Sequence, residues 1–505
     1  MVTFPHRMRY AKAYIVNPPS PPGYVSNKDS MGGFGQLFPA GATLFPPLDL
    51  VYLGSYLVEK GFPAEFLECL AMGLTREQLL DRIANAADGQ PLPVLVVVRT
   101  SAPTLDWDLE VCREMKARQP KMELMIYGPV VATVISRIQK EVCVDYIVKG
   151  DPDETVAELM VRPLKDTPGL TYRNEFGWVE TTAKPFIKDL DSMPFPKWEL
   201  LPYARYQMPK SSVHANVPFL PMWTSRGCPI GCHYCPYPVG QGEKWRRRSA
   251  SNVVDEIEHL VNDLGIRYLI FRDPMFSLDQ RRVIAICNDI VARGLNVQWR
   301  CETRVDYLNE DTLTAMAKAG CEGVNFGIES SDVAIQKGVG RRPISREQFM
   351  TCIQTCRRLG IKTFAFFIIG LPGDTVHTIL QTIGFAITLK PDWVQFTAAS
   401  PFIGTKLRAW AVSNGLAAED EYAYVNSHEV WMGNDHLSKT QVKALYHFAR
   451  FFQTYLLNRK GILKQDQPSI PYRFSKWLAD RACDCVAFVT FRFGSLWFGR
   501  EATGS

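Results

Sequence analysis

The chain has 505 residues, 46% of them hydrophobic and 22% charged, enough apolar material for at least one large core and, at roughly 150 residues per domain, for about three domains. Its 57 Lys and Arg against 52 Asp and Glu leave a formal charge of +5, too small over this length to imply nucleic acid by itself, and its 34 Pro and 35 Gly are scattered, which excludes collagen-like and low-complexity chains. Met1 to Pro19 lacks the apolar core and cleavage site of an export signal, and the strongest apolar run, Phe364 to Leu371, is far short of the roughly 18 residues of a spanning helix, so a soluble, cytoplasmic protein is expected.

Residues 11–165 alternate β-rich runs with helical patterns. Strands are expected at Ala13–Val16, Ala64–Glu68, Val94–Val98, Leu124–Tyr127 and Tyr146–Val148. Helices are expected at Leu48–Lys60, Arg76–Ala86, Leu105–Arg118 and Val131–Glu141. This alternation predicts a first α/β domain over residues 1–165 with an open parallel sheet, which binds ligands at the carboxyl ends of its strands. Those ends carry Asn17-Pro18-Pro19, Arg99-Thr100-Ser101, Gly128-Pro129 and Gly150-Asp151, where small residues let a ligand approach the backbone; the plainer reading is four tight turns. Gly32-Gly33-Phe34-Gly35 follows no strand and lacks dinucleotide-binding spacing, so it reads as a mobile loop.

Residues 166–215 read as a connector, with a hairpin through Asn174–Gly177 and a proline-punctuated stretch, Met193-Pro194-Phe195-Pro196. Over residues 216–405 the alternation resumes. Strands are expected at Pro221–Ser225, Tyr268–Arg272, Val297–Cys301, Gly323–Gly327, Thr363–Ile369 and Trp393–Thr397. The helices between them are expected near Val253–Leu264, Arg281–Arg293, Glu310–Ala319, Arg346–Leu359 and Val376–Leu389. Six β/α units fit a partial (β/α)6 barrel of TIM type, whose functional groups sit at the strand C-termini. Residues 406–505 read as helical and aromatic-rich.

The sharpest chemical signal is Gly227-Cys228-Pro229-Ile230-Gly231-Cys232-His233-Tyr234-Cys235-Pro236, directly after an apolar strand. Thirteen cysteines are present, but only these are regularly spaced, and clustered Cys in a cytosolic chain more often binds metal than forms disulfides. Three thiolates in a C-x3-C-x2-C loop grip three corners of a [4Fe–4S] cubane and leave one iron open. The competing reading is zinc with His233, which extends to a zinc-stabilised RNA-binding module together with Lys244-Trp245-Arg246-Arg247-Arg248. No second cysteine knuckle follows within forty residues, which weighs against zinc. The basic run itself has three readings: a phosphate grip, an RNA contact or a solvated loop. Cys352 and Cys356 share a helix face and read as core; Cys483-Asp484-Cys485 offers two ligands only. The tail, from Tyr446-His447-Phe448 to Trp497-Phe498, reads as helical packing, with docking on a membrane surface as the alternative.

On the cysteine triplet, with its aromatic before the last cysteine, the chain resembles the radical S-adenosylmethionine superfamily, in the class with an N-terminal cobalamin-binding domain. The resemblance spans most of residues 10–405 and includes Phe271-Arg272-Asp273-Pro274, Arg300-Cys301-Glu302-Thr303-Arg304, Gly327-Ile328-Glu329-Ser330, Gly370-Leu371-Pro372-Gly373 and the Asp189–Leu201 connector. It implies a Rossmann-like cobalamin domain, a radical S-adenosylmethionine barrel and three cofactors: a [4Fe–4S] cluster, S-adenosylmethionine and cobalamin. Cys228, Cys232 and Cys235 would hold the cluster, and Asp273 would contact the methionine ammonium. Arg304 and Glu329 would serve as charged partners for methionine or ribose, and Gly370 and Gly373 would let the backbone pass near the adenine. None of the eight histidines falls in an Asp-x-His-x-x-Gly motif, so the cobalt's lower face is expected at Arg99, Thr100 or Ser101, beside Gly128. Cys69, Cys112 and Cys143 lack the second-cluster motif of methylthiotransferases and read as structural. The implied activity is methylation of an unactivated carbon of a small molecule, through a 5′-deoxyadenosyl radical and methylcobalamin. The alternative within the class is ring formation or rearrangement without net methylation. The implied partners are a small-molecule substrate and an external one-electron reductant of flavodoxin or ferredoxin type, with no nucleic acid.

Overall fold

The computed structural model describes residues 8–86, 90–208, 217–419 and 427–459. In the N-terminal part the apolar runs become strands: β1 (Ala13–Asn17), the β2 (Tyr24–Asn27) and β3 (Gln36–Pro39) hairpin, β4 (Ala64–Glu68), β5 (Leu95–Arg99), β6 (Glu123–Tyr127) and β7 (Tyr146–Val148). β8 (Leu170–Asn174) and β9 (Gly177–Glu180) follow, and the sheet order is β4-β1-β5-β6-β7-β8-β9. The strands from β4 to β7 are parallel; β8 and β9 add antiparallel to that edge. Period-2 alternation sends Ile15, Val97 and Met125 to one core and Val16, Val96 and Ile126 to the other, so helices cover both faces.

Two expectations are corrected here. The connector hairpin is not separate from the first sheet: Leu170 pairs with Val148 and extends it. The Gly32–Gly35 stretch is no mobile loop but a buried turn between β2 and β3. Gly33 has φ +92°, and a Cβ there would lie 2.4 Å from Pro129; at Gly35 one would lie 2.6 Å from Ser101. Close backbone approach to the β5 and β6 ends, a tertiary demand, is what these glycines serve.

The second sheet has order β10-β13-β14-β15-β16-β17, all parallel. Its strands are β10 (Leu220–Met222), β13 (Tyr268–Phe271), β14 (Gln298–Thr303), β15 (Cys321–Glu329), β16 (Lys362–Ile369) and β17 (Trp393–Ala398). Between β10 and β13 lies a short antiparallel pair, β11 (Ser225–Arg226) with β12 (Arg246–Arg247). The five helices over 250–262, 280–292, 310–318, 346–358 and 376–389 begin after Ser249, Asp279, Asn309, Ser345 and Thr375. Each of those side chains accepts a hydrogen bond from a first-turn N–H, which sets where each helix starts. The helix Lys439–Arg459 covers β17, where Gln453 accepts from the Phe396 N–H at 2.9 Å. No helix among the described residues is long and apolar enough to cross a membrane. Cys483-Asp484-Cys485 and the aromatic tail beyond residue 460 lie outside the described residues.

The two sheets meet through buried charge. Asp151, after β7, accepts from Arg246 at 2.6 Å and from Arg226 at 3.2 Å. Arg226 also packs against the stacked rings of Tyr52 and Trp223, with its guanidinium carbon 4.9 and 4.5 Å from the ring centres. The basic run is thus mostly spent inside the molecule: Arg246 binds Asp151, the buried Arg248 binds Glu256, and Arg247 binds Asp279. This corrects the reading of Arg246 and Arg248, because a guanidinium taken out of water needs a carboxylate partner, while Lys244 and Arg247 stay exposed. Asp151→Asn should cost about 3 kcal/mol of stability, since it leaves the buried Arg246 without its counter-charge and Arg226 with only the more distant Asp153, at 4.0 Å. Chemical unfolding would measure it, and an unchanged midpoint would refute the buried-pair account.

Candidate active site

The cysteine loop hangs between β11 and β12. Gly227 opens it with φ +81°, where a Cβ would strike the Lys244 carbonyl at 2.2 Å. The Cys228 N–H donates to Gly242 O at 3.1 Å and the Cys235 N–H to Cys232 O at 3.2 Å, folding the loop back on itself. All three thiols line one cavity of about 340 Å³ at the C-terminal mouth of the second sheet. Burial pushes the Cys228 thiol up to about 11, and burial also raises Cys235, to which the neighbouring cysteines add. Crowded, raised thiols are ionised when a metal centre takes them as ligands.

A charged wall faces the thiols. Tyr234, within the triplet, accepts from Arg341 Nη1 at 2.9 Å, and the same nitrogen reaches Glu329 Oε1 at 3.1 Å. Arg341 Nη2 donates to Gly327 O. Glu329 is aimed by an irregularity in β15, where the register shifts between Gly327 and Glu329 and Glu329 takes φ +67°. Burial raises the pKa of its carboxyl and Arg341 opposes the rise. Arg304 is clamped by Asp306 at 2.9 and 3.0 Å and by the Arg342 carbonyl at 2.9 Å. The remaining wall is largely neutral: Gln36, Asn325, Gln395, Thr397 and Ser427, with Met31, Phe366 and Ile368. Gln36 and Met31 come from the β2–β3 hairpin of the first sheet. Asp29 of that hairpin binds Arg272 at 2.7 Å, and Arg272 in turn binds Glu302 at 2.9 Å.

The expected residues divide sharply. Cys228, Cys232, Cys235, Arg304 and Glu329 share the cavity. Asp273 does not line it: fully buried, its carboxylate accepts from the Thr224 N–H and hydroxyl and from Ser225 at 2.5–2.7 Å. Gly370 and Gly373 sit in a turn fastened by Asp374 and Asp435, outside the lining. Arg99 is buried, bonded to Asp49, Thr100 O, Lys28 O and Gly33 O. Thr100 is bonded to Asp108 and Ser101 to Thr104. Gly128 is required by the Thr100 carbonyl, 2.4 Å from where a Cβ would stand. These four build the end of the first sheet, and the side chains of Arg99, Thr100 and Ser101 are bonded to protein groups. Arg341, Asn325 and Gln36 were not expected; they carry no motif and arrive only by folding.

The donor set suits the groups implied. Among the described residues no three His, Cys, Asp or Glu side chains converge to hold a single ion. The His233 ring packs against Gly340 and lies off the cavity. Thiols spread along one wall match a cubane, which takes its ligands at separate corners. Arg304 Nη1, Arg341 Nε and Asn325 Oδ1 are buried without a hydrogen-bond partner. Buried polar atoms are normally paired, so these are places for a ligand's carboxylate and a donor group, as the methionine part of S-adenosylmethionine carries. The neutral amide and hydroxyl wall suits the amide-bearing rim of a corrinoid.

Comparison with known proteins agrees. Residues 223–386 match the family model of the Radical SAM superfamily. An uncharacterized methyltransferase of Pyrococcus horikoshii is 30% identical over 428 residues, 84% of this chain and 90% of that protein. The anaerobic magnesium-protoporphyrin IX monomethyl ester cyclase of Cereibacter sphaeroides is 26% identical over 381 residues, 72% of this chain and 60% of the cyclase. The structure of the cobalamin-dependent S-adenosylmethionine radical enzyme OxsB, with aqua-cobalamin and S-adenosylmethionine bound, superposes with a TM-score of 0.71 at 13% identity, covering 95% of this chain and 72% of that one. Replacing Arg304 by Met should weaken S-adenosylmethionine binding by about tenfold or more, the worth of a charge-assisted hydrogen bond, while leaving iron content unchanged. Equilibrium dialysis of the anaerobically reconstituted protein measures it, and equal affinity would remove Arg304 from the site.

Proposed function

The chain belongs to the radical S-adenosylmethionine superfamily, in the class whose barrel follows a cobalamin-binding domain, and from that premise we propose that it methylates an unactivated carbon of a small molecule. The observation that carries this reading is a single cavity lined by the three thiols of the barrel and by Met31 and Gln36 of the first sheet's hairpin. When bound, the cluster and S-adenosylmethionine supply one-electron hydrogen abstraction, and the corrinoid supplies methyl transfer.

The chain's own work is holding and excluding. Cys228, Cys232 and Cys235 hold the cluster, and Tyr234, Arg341 and Glu329 brace the loop that carries them. Arg304, its Nε and Nη2 fixed by Asp306 and Arg342, keeps Nη1 for a carboxylate. Ser30 and Met31 roof the cavity, and the Asp29–Arg272–Glu302 chain ties that roof to β14, so water is kept from the reacting carbon. An external one-electron reductant of flavodoxin or ferredoxin type and a cytoplasmic setting belong to the same proposal, since the thiols need to stay reduced until they are loaded.

The cyclase relative favours a second reading, in which hydrogen abstraction leads to ring closure without methylation. The products separate the two. Protein reconstituted anaerobically with iron, sulfide and hydroxocobalamin, then given methyl-labelled S-adenosylmethionine and dithionite, should form S-adenosylhomocysteine, with label retained in the corrinoid fraction. Formation of 5′-deoxyadenosine with neither S-adenosylhomocysteine nor transferred label would move the assignment to ring formation.

A further inference from the structure

The cysteine loop comes to the surface at Pro229 and Gly231, which are exposed, and Cys232 beside them is half-buried. Two other segments are stitched to this edge through the backbone of His233. The His233 N–H donates to Val339 O at 2.9 Å, and the Leu407 N–H donates to His233 O at 2.8 Å. Gly340 completes the seam: a Cβ there would lie 3.1 Å from Gly231 O. Each segment presents exposed cations next to the seam, Lys337 and Arg342 on one and Lys406 on the other. None of the three takes part in an ion pair among the described residues, whereas Arg76, Arg118, Arg137 and Arg293 on other faces are each matched to one or more carboxylates. Glu329 and Asp306 are committed to Arg341 and Arg304, and Asp332, the one acidic side chain of the short helix that carries Lys337, caps that helix's first turn. The rim beside the loop therefore carries three exposed cations that no carboxylate pairs among the described residues.

Uncompensated charge around a functional opening steers an oppositely charged partner and raises its rate of encounter. We propose that Lys337, Arg342 and Lys406 form the docking face for a small acidic protein that carries a low-potential one-electron group, and that it delivers its electron through the Pro229–Gly231 edge. This rests on the cluster reading above. The balance is simple: the carrier loses one electron, the cluster gains one, and no bond is made or broken between the proteins. The basic run Lys244 to Arg248 takes no part, because its arginines are already paired.

The test compares the reconstituted parent with the double variant Lys337→Glu, Lys406→Glu. Stopped-flow bleaching of the cluster by reduced flavodoxin should slow by about tenfold or more at low salt, with the gap closing as salt rises, because exposed charges are screened beyond about 10 Å at 0.1 M. Bleaching by dithionite, which needs no docking, should be equal in both, and iron content equal, which certifies the fold of the variant. Isothermal titration of oxidised flavodoxin into the unloaded proteins should show weaker binding by the variant. Equal flavodoxin rates and affinities in parent and variant would overturn the docking face. A parent whose reconstituted centre dithionite fails to bleach would instead overturn the cluster reading, and the docking proposal with it.

Discussion

Two guanidinium groups that share one carboxylate hold this molecule in its working shape. Arg226 and Arg246 leave water on folding, and Asp151 of the first sheet is the charge that makes this tolerable. Arg226 stands next to Gly227, the residue that opens the cysteine loop. The contact that fixes one sheet against the other therefore also fixes where the thiols begin. Arg226 against the stacked pair of Tyr52 and Trp223 adds a packing constraint that a lysine would not satisfy, since a planar cation lies flat on a ring and a point charge does not.

The cavity that results is divided by charge. Beside the thiols stand Arg304, Arg341 and Glu329, with orphaned nitrogens on both arginines. Farther out the polar groups are mainly amides and hydroxyls, and Arg272 is already answered by Asp29 and Glu302. Charged ligand groups gain most where an opposite charge waits in a dry site; a neutral, hydrogen-bonding surface gains most against neutral amides. The same hairpin that brings Gln36 to the outer wall brings Asp29 to Arg272, so closing the roof and neutralising the barrel rim are one event.

Sequence reasoning succeeded where the signal was local. The strands of both sheets were legible from short apolar runs and the helices from their periodic patterns, though the first barrel helix starts at Ala250, just after its cap Ser249, and not at Val253. The cysteine spacing was enough to single out the loop whose three thiols line the cavity. It failed where a residue's role depends on something far away in the chain. By resemblance Asp273 is expected at the methionine ammonium, yet Thr224 and Ser225, some fifty positions earlier, take up its carboxylate. Arg99, Thr100 and Ser101 looked like a cofactor-facing loop, yet the β2–β3 hairpin folds back over them and Lys28, Asp49 and Asp108 take up their polar atoms. The glycine-rich stretch in that hairpin carries no periodicity, so its burial was invisible.

What the chain by itself determined is the alternation of strands and helices in two successive stretches and the three sulfur donors, because each depends on residues within a turn or two of one another. What only the tertiary structure decided is which charges remain open to a ligand. Arg341, which carries no motif, lines the cavity of the thiols, and Arg246, which stands in a conspicuous basic run, does not. A guanidinium becomes a binding group or a strut according to whether a carboxylate from a distant segment reaches it first, and that is settled when the two sheets close on each other.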